Sequence, residues 1–321
     1  MTTEEVMEEL LARILLEGAY AEVLRIVEAA VSASEGTDEE KRYALTALRT
    51  QALTCTADLD GMTREGRLLL TCAPSERAHE AATLAANAFI CAGRYGEALA
   101  TEAWADAHAD TSEPYDEGQI HLLRINLAEA DYNLGDWTGA KARLSPLHED
   151  ELWGSLLTHG LRAQRAWIAA HEGDPAPLHA FLDDFDPLAL SPLYRAEQHF
   201  CAAVCNAALG RHTEALSHAE RGAQHAMRAS SRRNAHFLLA MLKAPNAQND
   251  HDAEVLRHYE AGAAHAYLGQ GGDALLAWGD LLHKNGRADE ARAAWGFAKT
   301  RDPESAAARR ASEKLGTNTG P

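Results

Sequence analysis

The sequence predicts an all-α protein built as a stack of about seven antiparallel helix hairpins. A short pattern recurs along the 321 residues, in which an apolar helix ends at Gly and a second helix begins a few residues later. The glycines of this pattern recur at about 38 residues or twice that distance. Hydrophobic residues make up 46% of the chain, which is typical of a folded soluble protein and not of a disordered one.

The N-terminal third carries the first copies of the pattern. A weak copy centres on Gly18, and a clear copy centres on Gly93, which is 75 residues or about two units later. We therefore place the turn of the unit between them at residues 58–61, where Gly61 follows two aspartates. A glycine at such a turn supplies the positive φ that ends the first helix.

The middle and the end of the chain continue the repeat. Glycines 135, 173 and 210 follow Gly93 at spacings of 42, 38 and 37 residues, and Gly286 follows 76 residues later, so a skipped turn is placed at 245–250. Acidic or hydroxyl residues after these glycines are expected to satisfy free N–H groups at the start of the second helix. Each hairpin buries one face only, so its neighbours must cover the other face.

The ends and the longer connections are predicted from composition. Loops are expected at 34–38, 110–117, 186–192 and 244–252. The charged, alanine-rich stretch 304–315 is expected to form a solvating end helix, which repeat stacks need. Residues 1–315 then form one repeat domain, and residues 316–321 form a disordered tail.

The best-formed unit spans residues 272–305 and resembles the tetratricopeptide repeat family in a drifted, bacterial form. The residues that carry the resemblance are Trp278, Gly279, Ala291, Trp295, Ala298 and Pro303. The resemblance implies a right-handed superhelix of about seven hairpins. It also implies a non-catalytic scaffold or adaptor, with a concave groove that binds a peptide or a partner helix.

The resemblance places the first helix of each hairpin along that groove. The implied groove residues are Asn87, Ile125, Glu129, Tyr132, Asn133, Trp167, His171, Phe200, Asp280 and His283. Further positions on the same helices are Thr83, Ile90, Ala163, Glu197, Val204 and Leu276. Apolar and acidic side chains together would suit an amphipathic or basic segment. The alternative for each apolar residue is ordinary packing between units.

Charge is distributed unevenly along the chain, whose formal net charge is −18. Residues 1–40 hold eleven acids and two bases, whereas residues 221–249 hold five bases and no acid. Arg228, Arg232 and Arg233 are candidates for a patch that binds an anionic partner or the acidic N-terminal hairpin of a second copy. The alternative is two solvated helix faces of opposite sign. The acid excess argues against nucleic acid as a partner.

Several classes of protein are disfavoured by what the sequence lacks. The acidic start MTTEEVMEEL does not resemble a signal peptide, and no run of about 18 uncharged apolar residues predicts a membrane span. The five cysteines are sparse and odd in number, which favours reduced thiols in a cytoplasmic protein.

Catalytic and metal-binding patterns are not found in the sequence. None of the sixteen histidines are spaced by three or four residues, and Cys201 and Cys205 are expected to be core residues. No phosphate-binding loop or nucleophile elbow occurs. We therefore expect no metal, no cofactor and no enzymatic activity. The remaining alternatives to an adaptor are a sensor that responds to a peptide or small ligand, and an enzyme with an unrecognised site.

Overall fold

The computed structural model describes residues 3–33, 39–110, 117–149, 152, 155–243, 254–255, 257–259, 261–262 and 272–317. These residues form helices and the turns between them, with no strand among them. The first eight α-helices are α1 (Thr3–Ala12), α2 (Tyr20–Ala33), α3 (Glu39–Thr54), α4 (Leu59–Cys72), α5 (Ala78–Cys91), α6 (Tyr95–His108), α7 (Glu117–Asn133) and α8 (Trp137–Leu144). The other eight are α9 (Ser155–Glu172), α10 (Pro175–Asp183), α11 (Pro192–Ala208), α12 (His212–Gln224), α13 (Ala229–Lys243), α14 (Gly272–Lys284), α15 (Ala288–Arg301) and α16 (Ala306–Thr317).

Consecutive helices pair into antiparallel units that follow the predicted repeat. Units 1 to 6 are the pairs α1–α2, α3–α4, α5–α6, α7–α8, α9–α10 and α11–α12. Unit 7 begins with α13, on which the described residues of 254–262 pack, and unit 8 is α14–α15. In unit 1 a π-helical turn, Arg13–Glu17, extends α1 to the turn glycine. Helix α16 follows unit 8 and covers its open face.

The turn glycines have the backbone conformation that the sequence predicts. Among the described residues, positive φ angles between 66° and 86° occur at Gly18, Gly93, Gly135, Gly173, Gly210 and Gly286. The exception is unit 2, where Gly61 lies inside α4 and the turn precedes it. The turn expected at 245–250 and the loops expected at 34–38 and 244–252 lie outside the described residues, as does most of the loop expected at 110–117.

Gly61 has a different role from the turn glycines. The Asp58 side chain caps α4 by accepting a hydrogen bond from the Gly61 N–H at 2.9 Å. An ideal Cβ at Gly61 would lie 2.2 Å from the Asp58 carboxylate, so the cap requires glycine at this position. Asp136 caps α8 through the Gly139 N–H at 2.8 Å with the same restriction. The expected acidic caps are therefore present at these two units.

Small residues let the two helices of a unit approach closely. An ideal Cβ at Gly279 in α14 would lie 2.3 Å from the Trp295 ring of α15. Trp295 is 2% exposed, and its indole N–H donates to Asp280 at 3.0 Å. Gly222 and Phe200 form the same contact in unit 6, where the ideal Cβ lies 2.4 Å from the ring. These pairs confirm the family-like positions of Gly279 and Trp295.

Units that are five places apart in the order of the repeats also contact each other. Unit 1 packs on unit 6, since Ile14 and Leu193 share one apolar cluster. Between units 2 and 7, the Ala229 N–H donates to the Cys55 carbonyl at 3.3 Å. Successive turns of the superhelix are therefore in contact, along a boundary that we call the interturn seam.

The seam continues at the C-terminal end of the chain. Between units 3 and 8, the Gly96 N–H donates to Glu304 Oε2 at 2.8 Å. Between unit 4 and α16, Arg309 donates to the Leu134 carbonyl, at the turn that ends α7. Each of these contacts again joins elements five units apart, with α16 in the place of a ninth unit.

Helix α16 is more than the solvating end helix that the sequence predicts. Its Ala307 and Ala311 side chains are buried in the cluster formed by α14, α15 and unit 7. The helix includes Gly316 and Thr317, which were expected in the tail, and residues 318–321 lie outside the described residues. None of the helices in the described part of the chain has the length and apolar character needed to cross a membrane.

Candidate functional site on the inner wall of the superhelix

Arg228 lies at the centre of the molecule, just before α13. Its Nη2 atom is 2.8 Å from Glu197 Oε1 of α11, and its guanidinium lies 5.1 Å from the centre of the Tyr194 ring. Ser231 donates a short hydrogen bond to the same Glu197 oxygen. Burial alone would lower the pKa of Arg228, but the Glu197 carboxylate keeps it above its usual value. Arg228 therefore stays charged.

Arg228 is deeply placed but still accessible. Burial is the largest single influence on its pKa, yet 13% of its side chain is exposed. Cys91 and Tyr132 are likewise strongly desolvated and partly exposed. We call the region around these three side chains the inner wall.

Cys91, the last residue of α5 in unit 3, lies near Arg228. Burial raises the pKa of its thiol to about 12, against the opposing effect of Arg228. The thiol lies 3.8 Å from Asn87 Oδ1, one helical turn earlier on α5. Cys55, in the turn after α3, is also near Arg228, and burial raises the pKa of its thiol. Both thiols are therefore neutral near pH 7, which argues against a nucleophilic role.

Glu129 of α7 forms the next part of the inner wall. Its carboxylate lies 3.4 Å from the amide nitrogen of Gln164 on α9, and its carbonyl accepts a bond from Asn133 at 2.8 Å. Tyr132 is adjacent, and burial raises the pKa of its hydroxyl. Glu129, Tyr132 and Asn133 thus lie together on α7, and Cys91, which lies next to Asn87, is near the Glu129 charge. That these residues line a binding groove stays a prediction.

Arg233 also points inward, from the first turns of α13. It is 4% exposed, and Tyr95, Cys91, Asp302 and Glu129 surround its charge. Burial lowers its pKa, an effect that these neighbours oppose. The guanidinium donates to Asn234 Oδ1.

The prediction of an external basic patch is therefore wrong for two of its three members. Arg228 and Arg233 are inside the superhelix, because the start of α13 lies between its turns. Arg232 is exposed, and it donates to the carbonyls of Ala226 and Met227. The N-terminal hairpin contacts this region within one chain, where the Met227 methyl lies 2.6 Å from an ideal Cβ at Gly18. Pairing of the two segments between copies remains a prediction.

The other expected groove residues of α7, α9 and α11 lie in apolar clusters or at the end of α9. Ile125 and Phe200 are 3% and 5% exposed and pack in apolar clusters, so the alternative of ordinary packing is correct for them. Trp167 packs in a third cluster with Cys201. His171 is exposed at the end of α9 and stacks on Trp137 at 3.8 Å, and Trp137 stacks on Tyr132 at 5.3 Å.

Asp280 and His283 belong to the end of the stack. Asp280 is bound by the Trp295 indole and by Lys314 Nζ, each at 3.0 Å. The His283 ring lies 5.6 Å from the ring of Trp295. Helix α16 covers this region, so these two residues fix the last unit.

Two residues of the inner wall were missed by sequence reasoning. Cys91 follows Asn87 by four residues and so lies on the same helix face, a signal that could have identified it. Tyr194 lies outside the positions that the family resemblance assigns, but it precedes Glu197 by three residues and so lies on the same helix face, a signal of the same kind.

Two pairs of histidines occur in this part of the chain, one within unit 6 and one within unit 7. His199 Nδ1 lies 3.2 Å from His218 Nδ1, and His236 Nδ1 lies 3.3 Å from His258 Nδ1. Burial lowers the pKa of His199 to about 4, with further lowering by His218, His225 and Arg221. In the described part of the chain, no group of three or more His, Cys, Asp or Glu side chains is arranged to hold a metal ion.

Neither a protein-family model nor a curated protein sequence matches this chain. Among solved structures, the chain is similar to a Rap protein complexed with competence and sporulation factor. The similarity covers 98% of both chains with a TM-score of 0.57 and 15% sequence identity. At this identity it shows the fold alone. The chain therefore has an all-α, tetratricopeptide-like superhelical repeat fold.

Proposed function

We propose that this chain is a non-catalytic regulator that binds a peptide or a partner helix on its inner wall. The observation that carries the proposal is the inner-wall cluster around Arg228, Glu197 and Glu129, enclosed by the interturn seam. The alternative adaptor function needs an open groove, which five-unit contacts between turns disfavour.

The chemistry of the inner wall suits a peptide main chain. Glu129 and Glu197 supply acceptors, and Arg228 supplies a charged donor, within one enclosed region. A peptide segment carries alternating N–H donors and C=O acceptors, so it can use both kinds of group at once. The similar Rap structure supports the proposal, because a protein of this fold is complexed there with competence and sporulation factor.

The interturn seam favours a regulator over a passive scaffold. A ligand on the inner wall contacts residues from units that are not adjacent in sequence, such as Cys91 in unit 3 and Arg228 before unit 7. Binding therefore changes the relative free energies of more open and more closed superhelices. The exposed ends of the units then communicate that change to a second protein.

An enzyme is the weaker alternative. Among the described residues, most groups with strongly shifted pKa values are neutral thiols and phenols, stably charged arginines and neutral histidines. The exception is Asp302, whose pKa burial raises to about 6. One carboxyl group that is 2% exposed is not an accessible general acid–base pair.

The test uses a phage-displayed random peptide library panned against the full-length protein. Binding of selected peptides is then measured by calorimetry for the wild type and for Glu129→Gln. We expect Glu129→Gln to weaken binding by about tenfold, as the loss of one charge-assisted hydrogen bond of about 1.5 kcal/mol requires. Glu117→Gln is the matched control, because Glu117 is exposed at the start of the same helix.

Two results would reject the proposal. One is that both variants bind the selected peptides as tightly as the wild type. The other is that the library gives no binder, while a screen of small metabolites gives one that is converted to a product. The second result would support the enzyme alternative instead.

A further inference from the structure

The interturn seam has two halves of different character. The N-terminal half, between units 1 and 6, is an apolar cluster. It includes Leu10, Ile14, Val23, Leu45, Leu48 and Leu193, with Tyr194 and Met227 packed against it. Separation of this half would expose several large apolar side chains to water, each at a cost of roughly 1.5–3 kcal/mol. The N-terminal half is therefore a permanent part of the fold.

The C-terminal half is formed mainly by polar contacts of residues 302–309, which we call the C-terminal latch. Glu304 accepts from the Gly96 N–H at 2.8 Å, and Arg309 donates to the Leu134 carbonyl. Both bonds involve exposed groups. Such groups bind water when they separate, so each bond contributes only about 1 kcal/mol to closure.

Polar groups also lie under the latch. The Tyr95 hydroxyl and the Asp302 carboxylate are close enough to interact across the seam, although neither the hydroxyl nor Oδ1 has a hydrogen bond of good geometry in the described part of the chain. Burial raises the pKa of Asp302 to about 6, an effect that Tyr95, the Gly272 N–H and Arg233 oppose, while Asp273 adds to it. Water can replace these polar contacts when the latch opens, so they add little to closure.

We propose that the C-terminal latch is releasable, and that its opening swings unit 8 and α16 away from units 3 and 4 while the apolar half of the seam stays closed. The opening exposes the part of the inner wall that holds Cys91, Glu129 and Arg233. This proposal goes beyond the proposed function, since the latch opens and closes without any ligand. It stands even if the inner wall binds no peptide.

The test measures opening through the reactivity of Cys91. The full-length protein is treated with N-ethylmaleimide for a series of times, and labelling of each cysteine is followed by peptide mass spectrometry. The double substitution Glu304→Ala with Arg309→Ala should raise the labelling rate of Cys91 several-fold. The radius of gyration measured by small-angle X-ray scattering should also increase.

Arg310→Ala is the matched control. Arg310 lies on the same helix and forms an ion pair with Asp273 within the C-terminal end, away from the latch contacts. It should leave the Cys91 labelling rate and the radius of gyration unchanged. Cys201 and Cys205 serve as an internal control, because their labelling would report global unfolding rather than latch opening.

A locked variant gives an independent test if the double substitution fails to fold. An ideal Cβ at Gly135 lies 3.0 Å from the Ala306 Cβ, within about an ångström of the Cβ separation in disulfides. A cysteine at position 135 is strained, because Gly135 has a φ of 86°, but the oxidised and reduced forms of one variant share that strain. Gly135→Cys with Ala306→Cys should form a disulfide on oxidation and slow Cys91 labelling, and reduction should restore the rate. Equal Cys91 labelling in the oxidised and reduced forms would overturn the proposal, as would unchanged labelling in the folded double variant.

Discussion

Arg228 Nη2 lies 2.8 Å from Glu197 Oε1, and this ion pair joins the adjacent units 6 and 7 across the length of α12 in the sequence. Glu197 retains 32% exposure and Arg228 retains 13%, so the pair is only partly desolvated. The pair nevertheless sits where the turns of the superhelix meet.

We expect Arg228→Met to destabilise the protein by about 2–3 kcal/mol, because it leaves the Glu197 carboxylate without its cation. The double substitution Glu197→Gln with Arg228→Met should destabilise less than Arg228→Met alone. Urea denaturation followed by circular dichroism measures both effects. Arg292→Met is the control, since the exposed pair of Arg292 with Asp289 should contribute at most about 1 kcal/mol. A double variant that is less stable than the single variant would show that the pair is not coupled.

The histidine pair of unit 6 predicts a loss of stability in mild acid. The folded-state pKa of His199 is about 4, below the value near 6.5 of the unfolded chain, so the unfolded state binds the proton first. This contribution is fully present above pH 6.5 and is lost as the pH falls towards 4. At pH 5 the loss is about 1–2 kcal/mol.

The measurement is the difference in Tm between pH 7 and pH 5 for the wild type and for His199→Gln. We expect a smaller drop in the variant, by a few degrees. The exposed His179→Gln is the control and should follow the wild type. The folded state protonates Asp302 before the unfolded state does, because burial raises its pKa to about 6, so this group stabilises the protein as the pH falls. The comparison is therefore between the Tm drop of the variant and that of the wild type, in which Asp302 contributes equally. A variant with the same drop as the wild type would contradict the assignment.

Gly279 is predicted to tolerate no side chain. An ideal Cβ at Gly279 lies 2.3 Å from the Trp295 ring, so Gly279→Ala must displace a buried indole and should cost about 1–3 kcal/mol. Gly296 lies in the helix that carries Trp295, and no atom lies within 4 Å of its ideal Cβ. Gly296→Ala should therefore stabilise the protein by about 0.5–1 kcal/mol through helix propensity. Thermal unfolding of both variants checks the prediction, and equal effects would contradict it.

Cys201 and Cys205 are predicted to be inert in the native protein. They are 1% and 0% exposed, and the Cys201 thiol points to the Ala163 carbonyl at 3.7 Å. Burial raises the pKa of Cys201 well above its usual value. Both thiols should react with Ellman's reagent only as the chain unfolds in denaturant, whereas the partly exposed Cys72 should react earlier. Reaction of Cys201 at the rate of Cys72 in buffer would show that unit 6 opens locally.

The repeat architecture was predictable because its signals are local. A turn that ends a helix with positive φ favours glycine, so Gly93 and Gly210 could be recognised from a few flanking residues. The pairing of Gly279 with Trp295 is likewise a relation between two helices of one unit. Gly61 was wrongly assigned to a turn. It lies in the first turn of α4 behind the capping Asp58, and an aspartate followed closely by glycine is equally typical of a turn in the sequence.

The inner wall was predictable only in part. Glu129 and Tyr132 follow from the first-helix rule, since that rule depends only on distance from the turn. Arg228 and Arg233 were expected outside, because a cluster of bases resembles a solvated face when its partners are unknown. Their partners Glu197 and Asp302 lie in other units, and no periodic signal connects them to α13.

The five-unit register of the interturn seam has a consequence for how this protein unfolds and evolves. A stack in which each repeat contacts only its neighbours can lose its ends one unit at a time. Here the apolar contact between the first and sixth units joins the two ends of that segment, so units 1 to 6 should melt as one cooperative block, and the C-terminal end can separate before it. Loss or duplication of a single repeat would shift every later contact out of alignment. The number of repeats is thus constrained by geometry as well as by length.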